Sequence, residues 1–187
     1  MASILGVVLI AFFAFFGTMI DNFFAFAAQL MVTERSRYDR VSWAQALGVA
    51  ILILIASALG SLLVPIPLRW IGVLCVAPFA FAVHSWRHRT APRQQFRRGA
   101  FTTFVITVSL GGDNLAVWIP LFRSNGVTHA FYSIATFAVL EIVFISLARG
   151  IAGHPRVVQW GNNHAGFFMP IFYSLLGVAI LFECHTL

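Results

Sequence analysis

Six apolar runs divide this chain, and most of them reach the length of about 20 residues that a helix needs to cross a bilayer. The predicted spans are Ile4–Val32, Trp43–Val64, Leu68–Val83, Phe101–Phe122, Val127–Leu147 and Ala165–Phe182. Because 60% of the 187 residues are hydrophobic and 10% are charged, a soluble fold could not cover the apolar surface. The sequence therefore predicts an all-α membrane protein whose six transmembrane helices lie in the lipid bilayer.

The arginines predict the orientation in the membrane. A net charge of +6 would suggest a nucleic-acid partner in a soluble protein. Ten of the 12 basic residues, all of them Arg, instead lie in three polar segments: Thr33–Ser42, Ser85–Gly99 and Arg149–His164. Positively charged loops stay in the cytoplasm. We therefore predict a multi-pass protein of the cytoplasmic membrane, with both termini outside and no nucleic-acid partner.

The remaining two connections predict tight turns, and the first span predicts an interruption. Proline and glycine in the segments 65–67 and 123–126 cannot continue a helix easily and favour sharp turns. The first span is longer than the bilayer requires. Its interior contains the polar segment from Gly17 to Asn22, so we expect a break in the helix there.

The polar segment of the first span has a counterpart in the fourth span. Residues 17–25 match residues 109–117 in character, and both segments contain an Asp-Asn pair within an apolar span. Three spans in each half would place the halves in opposite orientations, which is the plan of many secondary transporters. The predicted architecture is a single transmembrane domain of two inverted three-helix repeats, residues 1–92 and 93–187.

Asp21 and Asp113 are the first candidates for chemistry. A carboxylate at the centre of a span costs about 2.5–3.5 kcal/mol on insertion scales. One alternative is a protonated Asp that forms a hydrogen bond to a neighbouring helix. Two such residues in corresponding helices favour a shared cation site near the midplane. We therefore predict that Asp21 and Asp113 bind one metal ion.

Polar neighbours of the two acids are further candidate ligands. Asn22 and Asn114 provide amide oxygens, which suit metal coordination, although interhelical hydrogen bonding explains them equally well. Thr18 and Ser109 could approach the same site, but hydroxyls in spans often bond their own helix. Gly111 and Gly112 favour local unwinding, which would free backbone carbonyls as ligands.

Two other residues of the apolar spans remain open in role. Glu141 lies in the fifth span without an acidic counterpart in the first half. It is a candidate proton carrier, an additional ligand or a buried neutral acid. Cys75 lies within the third span and is a candidate soft-metal ligand, although a small apolar side chain is the simpler interpretation.

The segment around Asp113 resembles the signature of a known family. The sequence from Leu110 to Phe122 resembles the G-G-D-N segment and the following aromatic-I-P-L-F run of the cadmium-resistance (CadD-type) transporters. The segment from Gly17 to Asn22 is similar to the first helix of that family, which belongs to the lysine-exporter (LysE) superfamily. The resemblance implies efflux of Cd²⁺ or a related divalent ion, with Asp21 and Asp113 as the ion-binding acids.

Together these patterns predict a secondary transporter that exports a divalent heavy-metal cation. The metal is the substrate, and we expect no cofactor. No Walker-A segment and no pair of nucleophile and base occurs in the sequence, so we do not expect an enzyme. Alternatives are an exporter of a basic amino acid or another small cation, and a membrane redox or accessory protein. A homodimer is a candidate oligomeric state.

Overall fold

The protein is helical throughout the part that the structure describes. The computed structural model describes residues 3–63, 65, 76–87, 99–161, 164, 171, 174, 175 and 178. The helices are α1 (Ile4–Met31), α2 (Tyr38–Leu62), α3 (Val76–Arg87), α4 (Ala100–Ser109) and α5 (Gly112–Ile151), and a 3₁₀ turn (Arg35–Arg37) precedes α2. Residues 155–161 form a further helical segment.

Helix α1 confirms the first predicted span but not the predicted interruption. The Ser3 hydroxyl caps its start by accepting a hydrogen bond of 3.1 Å from the backbone N–H of Gly6. The helix then continues without a break through the segment from Gly17 to Asn22. Gly17 alone in that segment has a strongly unfavourable helix propensity, at about 1 kcal/mol relative to Ala. A break within lipid would also leave backbone groups without partners, which costs more.

Helix α5 reverses direction between two helical arms. A straight helix would separate residues 118 and 137 by about 28 Å. The rings of Trp118 and Phe137 are instead 4.7 Å apart, and Asn125 Nδ2 lies 2.9 Å from Ser133 Oγ. Helix α5 is therefore a hairpin, with a first arm (Gly112–Asn125) and a second arm (His129–Ile151). The reversal agrees with the turn predicted at residues 123–126.

Among the described residues, three helical segments are long and apolar enough to cross a membrane. They are Ile4–Met31, Arg35–Leu62 and His129–Ile151, and a bent pair, Ala100–Ser109 with Gly112–Asn125, makes a fourth if it is one span. Helix α3 overlaps the end of the third predicted span. The start of that span, the turn at 66–67 and most of the sixth span lie outside the described residues, so six spans and an inverted repeat remain predictions.

The bundle has an aromatic core and an apolar outer surface. Helix α1 packs mainly on α5, and α2 packs on α4 and α5. Phe15 stacks on Trp118 in the core and also contacts Phe137. Large apolar side chains nevertheless cover the outside, among them Leu5, Phe13, Trp43, Leu54, Phe101, Phe131 and Ile142. Soluble monomers rarely expose such continuous apolar surface, whereas lipid tails cover it in a membrane protein.

Two glycines permit the close approach of α2 to the helices around the break. A Cβ at Gly48 would lie 2.8 Å from Thr107 Cγ2, and a Cβ at Gly111 would lie 2.3 Å from Leu52 Cδ1. Small residues allow such approaches between membrane helices. The two glycines therefore let α2 pack closely on α4 and on the start of α5, next to Asp113.

Candidate metal site

The second Asp-Asn pair follows a helix break. Helix α4 ends at Ser109, α5 begins at Gly112, and the two axes differ by 59°. Asp113 therefore lies in the first turn of α5, where unpaired backbone N–H groups create a positive partial charge that favours a carboxylate. Its Oδ1 accepts a hydrogen bond of 2.8 Å from the backbone N–H of Asn114. Both side chains are buried, and the predicted unwinding at Gly111 is confirmed.

The first Asp-Asn pair lies within the unbroken helix α1. Asp21 Oδ1 accepts a hydrogen bond of 2.7 Å from the backbone N–H of Asn22. The Asp21 side chain is half-buried, whereas Asn22 is buried. Because the helix is regular, the two side chains point about 100° apart. Asp21 lies on the same face as Thr18, one turn away, and that face contacts α5.

Contacts between α1 and the first arm bring the two motifs together. Asn114 Nδ2 lies 3.3 Å from Met19 Sδ, and Trp118 Nε1 donates a hydrogen bond of 3.2 Å to Thr18 Oγ1. These contacts place residue 114 beside residue 19 and residue 118 beside residue 18. Asp113 directly precedes Asn114 and Asp21 is two residues after Met19, so both acids are close in sequence to this contact.

The candidate ligands differ in how much of their bonding capacity is used. Asn114 Oδ1 is buried and has no hydrogen-bond partner among the described residues, and the same holds for Asn22 Nδ2. The Thr18 hydroxyl donates to the backbone oxygen of Ala14 at 2.9 Å and accepts from Trp118. Ser109 is exposed at the end of α4. Asn114 therefore offers a free acceptor at the interface, while Thr18 is already engaged.

Comparison with known proteins identifies the family. The family model of the cadmium resistance transporters matches residues 88–187, just over half of the chain. The chain belongs to the cadmium resistance transporter family. The matched part contains the helix break, Asp113 and Asn114, and confirms the resemblance predicted from Leu110 to Phe122. No curated protein and no solved structure matches this chain.

Family membership agrees with the membrane-spanning helices, and the contacts of Asn114 add Met19 to the residues near the site. Met19 is completely buried, and its sulfur lies in the otherwise polar contact between the motifs. A thioether is a soft ligand, which suits soft metal ions. The position of Met19, two residues before Asp21 in a span, is the sequence signal that could have indicated it.

Of the other two predicted candidates, one lies on the second arm of α5 and one lies outside the described residues. Glu141 is 5% exposed on the second arm and faces Gln45 of α2. In the described part of the chain, no three side chains of the types His, Cys, Asp and Glu form a metal-binding group. Cys75 lies outside the described residues.

Proposed function

We propose that this cadmium resistance transporter exports Cd²⁺ or a similar divalent ion through a site formed by its two Asp-Asn motifs. The observation that supports the proposal is the contact between Asn114 of the second motif and Met19, which lies two residues before the first motif. Both acids lie near this contact within a bundle whose outer surface is apolar. Acids inside a membrane bundle typically mark an ion pathway.

The ligand chemistry of this site suits a soft divalent cation. Two carboxylates, from Asp21 and Asp113, would neutralise the charge of one divalent ion. Asn114 Oδ1 would add a neutral oxygen, and Met19 Sδ would add a soft donor. Three other candidate ligands are less favourably placed. Asn22 points away from Asp21 because α1 is regular, the Thr18 hydroxyl is already hydrogen-bonded, and Ser109 is exposed.

The helix break offers a route to alternating access. In the last turn of α4 the carbonyl of Ile106 keeps its helical partner Leu110, whereas that of Val108 accepts from Gly111 in a tighter i→i−3 bond. Discontinuous helices of secondary transporters use such carbonyls and helix ends to hold ions near the midplane. Rotation at Leu110 and Gly111 would change the access of Asp113 without moving α1. The absence of a Walker-A segment in the sequence agrees with a gradient as the energy source.

We further propose that the arginine end of the bundle faces the cytoplasm. We define the arginine end as the end at which α1 stops and α2 begins, near Arg35, Arg37, Arg40 and Arg149. A single cysteine at Ser36, in a variant without Cys75 and Cys184, should react with a membrane-impermeant reagent only after the cells are opened. Labelling of intact cells would contradict this orientation.

Cadmium tolerance of a metal-sensitive bacterial host tests the transport proposal. Expression of the chain should raise cadmium tolerance and lower cell-associated cadmium. Asp21→Asn and Asp113→Asn should each abolish both effects while the protein stays in the membrane. Asp39→Asn is the matched control, because the Asp39 side chain is 81% exposed at the arginine end. Unchanged tolerance in both site variants would overturn the two-aspartate site.

A further inference from the structure

A second group of buried polar side chains connects the interior of the bundle to the arginine end. We call this group the polar column, and it consists of Gln29, Thr103, Thr107, Gln45 and Glu141. Its members come from four elements: α1, α4, α2 and the second arm of α5. Each is at most 5% exposed. Polar side chains in a membrane bundle usually pair with one another and mark functional paths.

Hydrogen bonds link the column from helix to helix. The Thr103 hydroxyl donates to Gln29 Oε1, and the Thr107 hydroxyl donates to Gln45 Oε1. Thr107 Oγ1 also lies 2.9 Å from the backbone oxygen of Thr103, which joins the two threonines along α4. The side chain of Gln45 faces Glu141. The column therefore runs from Gln29 to Glu141 without an apolar gap in its sequence of contacts.

The lower end of the column lies beside an open cavity. The Thr33 hydroxyl donates a hydrogen bond of 2.7 Å to the backbone oxygen of Gln29, and Thr103 Oγ1 lies 3.1 Å from the backbone oxygen of Gly99. Thr33 and Gly99 line a cavity of about 230 Å³ at the arginine end, together with Val32, Glu34, Arg37, Arg40, Val41 and Ala100. Water can therefore approach the polar column from this end.

The upper end of the column is an acid with unused bonding capacity. Both carboxyl oxygens of Glu141 are buried and lack hydrogen bonds among the described residues, as does Nε2 of Gln45. Glu141 lies between Phe137 and Phe144, whose rings pack against Phe15 of α1. Helix α4 presents no charged side chain. The titratable and charged residues on the other packed helices, including α3, are Asp21, Tyr38, Asp39, Arg40, His84, Arg87, Asp113, Arg123, His129, Tyr132 and Arg149.

Gln45 can complement either protonation state of Glu141. With Thr107 donating to Gln45 Oε1, the amide Nε2 is the group left to donate to an ionised Glu141, whose side chain faces Gln45. If the amide turns over, Oε1 accepts from a protonated Glu141 and Nε2 donates to Thr107 Oγ1. The Thr107 hydroxyl then donates to the backbone oxygen of Thr103, at the distance already present. Gln45 and Thr107 can therefore form hydrogen bonds with Glu141 in both of its protonation states. Glu141 can accept a proton without a rearrangement of the helices.

We propose that Glu141 is the proton-binding site that couples metal export to proton entry, and that the polar column connects it to the cavity at the arginine end. Glu141 would take up a proton when the bundle opens to the outside and release it to water that enters along the polar column from the cavity at the arginine end. The metal would use the separate site at Asp21 and Asp113. This inference rests on the proposed function, since it assigns the coupling ion of the same transporter.

The test uses the purified full chain in liposomes and measures two reactions of cadmium. The first is accumulation of Cd²⁺ driven by a pH gradient, together with metal-induced proton movement. The second is exchange of labelled for unlabelled Cd²⁺ at equal pH, which requires the metal site but no net proton transfer. In Glu141→Gln we expect gradient-driven accumulation to fall by about a hundredfold, the lower end of what a proton-transferring group contributes. Exchange should continue.

Matched variants separate the coupling site from the metal site. Asp39→Asn, at a carboxylate that is 81% exposed, pairs with Arg149 and does not line the cavity, should keep both reactions. Asp113→Asn should lose both, because it removes a metal ligand. Glu141→Asp retains a carboxyl and should recover part of the gradient-driven accumulation, which also shows that the site tolerates substitution.

Two results would overturn the proposal. One is full gradient-driven accumulation with metal-induced proton movement in Glu141→Gln. The other is loss of exchange along with accumulation in both Glu141 variants, which would place Glu141 in the metal site. Failure of the proposed function itself appears differently, as absence of cadmium exchange in the unmodified chain.

Discussion

Trp118 donates a hydrogen bond of 3.2 Å to the hydroxyl of Thr18, which joins the first arm of α5 to α1 across the centre of the bundle. The indole is completely buried and packs against Phe15 and Phe137. Thr18 in turn donates to the backbone of its own helix. Trp118 therefore holds the two helices that supply the acids, both through ring packing and through one directed bond.

Substitutions at Trp118 should separate these two contributions. Trp118→Phe keeps most of the packing and loses the hydrogen bond, which is worth about 0.6 kcal/mol on average between membrane helices. Trp118→Ala creates a core cavity and should cost about 3–5 kcal/mol. Thermal denaturation of the purified chain in detergent measures both. Equal losses for the two variants would show that the hydrogen bond, and not the packing, dominates.

Met19→Leu should change the preference among metals more than it changes the fold. Leu has nearly the same volume, so we expect a stability loss below about 1.5 kcal/mol. Removal of the thioether should weaken binding of the soft Cd²⁺ relative to hard divalent ions, which oxygen ligands bind well. Competition of Cd²⁺ with Mn²⁺ in liposome uptake measures the ratio. Ile20→Leu, at the neighbouring half-buried position, is the control. A ratio unchanged by Met19→Leu would exclude the sulfur as a ligand.

The two adjacent glycines of the break should respond differently to alanine. Gly111→Ala would place its Cβ 2.3 Å from Leu52 Cδ1, so α2 and α5 must separate or Leu52 must move. A Cβ at Gly112 would meet no atom within 4 Å. We expect loss of cadmium tolerance in Gly111→Ala and retention in Gly112→Ala, with both proteins in the membrane. Gly111→Ala with Leu52→Ala should recover part of the activity if the clash is the cause.

Arg149 should stabilise the arginine end through Ser42 more than through Asp39. Its ion pair with Asp39 spans 2.7 Å, but the carboxylate is 81% exposed, so solvent reduces the attraction to below about 1 kcal/mol. Its Nε also donates a hydrogen bond of 3.0 Å to the buried Ser42 hydroxyl. Asp39→Asn should thus change the unfolding free energy less than Arg149→Met does, as thermal denaturation at two salt concentrations can test. A larger effect for Asp39→Asn would contradict this order.

Much of the architecture could be predicted because hydrophobic length and turn residues act locally. The first two spans begin and end near the predicted limits, and the reversal of α5 lies where Arg123 to Gly126 predicts a turn. The prediction of an interruption in α1 was wrong, because polar side chains can project from a helix while its backbone hydrogen bonds stay intact. The break at Gly111 differs in that two adjacent glycines favour it and Leu52 leaves no room for a Cβ at Gly111.

The acids of the candidate site could be predicted, but their partners could not. Asp21 and Asp113 are conspicuous because carboxyl groups are rare in apolar spans. Met19 and Gln45 resemble ordinary span residues, and their importance comes from contacts with Asn114 and Glu141. Such contacts depend on helix register across the bundle. Register follows from tertiary packing, which a single sequence does not specify residue by residue.

The unbroken course of α1 and the break before α5 give the two motifs unlike mechanics. Asp21 lies within a continuous helix of 28 residues, whereas Asp113 lies at the break between α4 and α5, whose axes differ by 59°. A continuous helix resists bending and moves as a unit, whereas the helix after a break can change its angle to the helix before it. Any motion that opens the site would therefore be unequal. Helix α1 would stay in place, and the first arm of α5 would move relative to it.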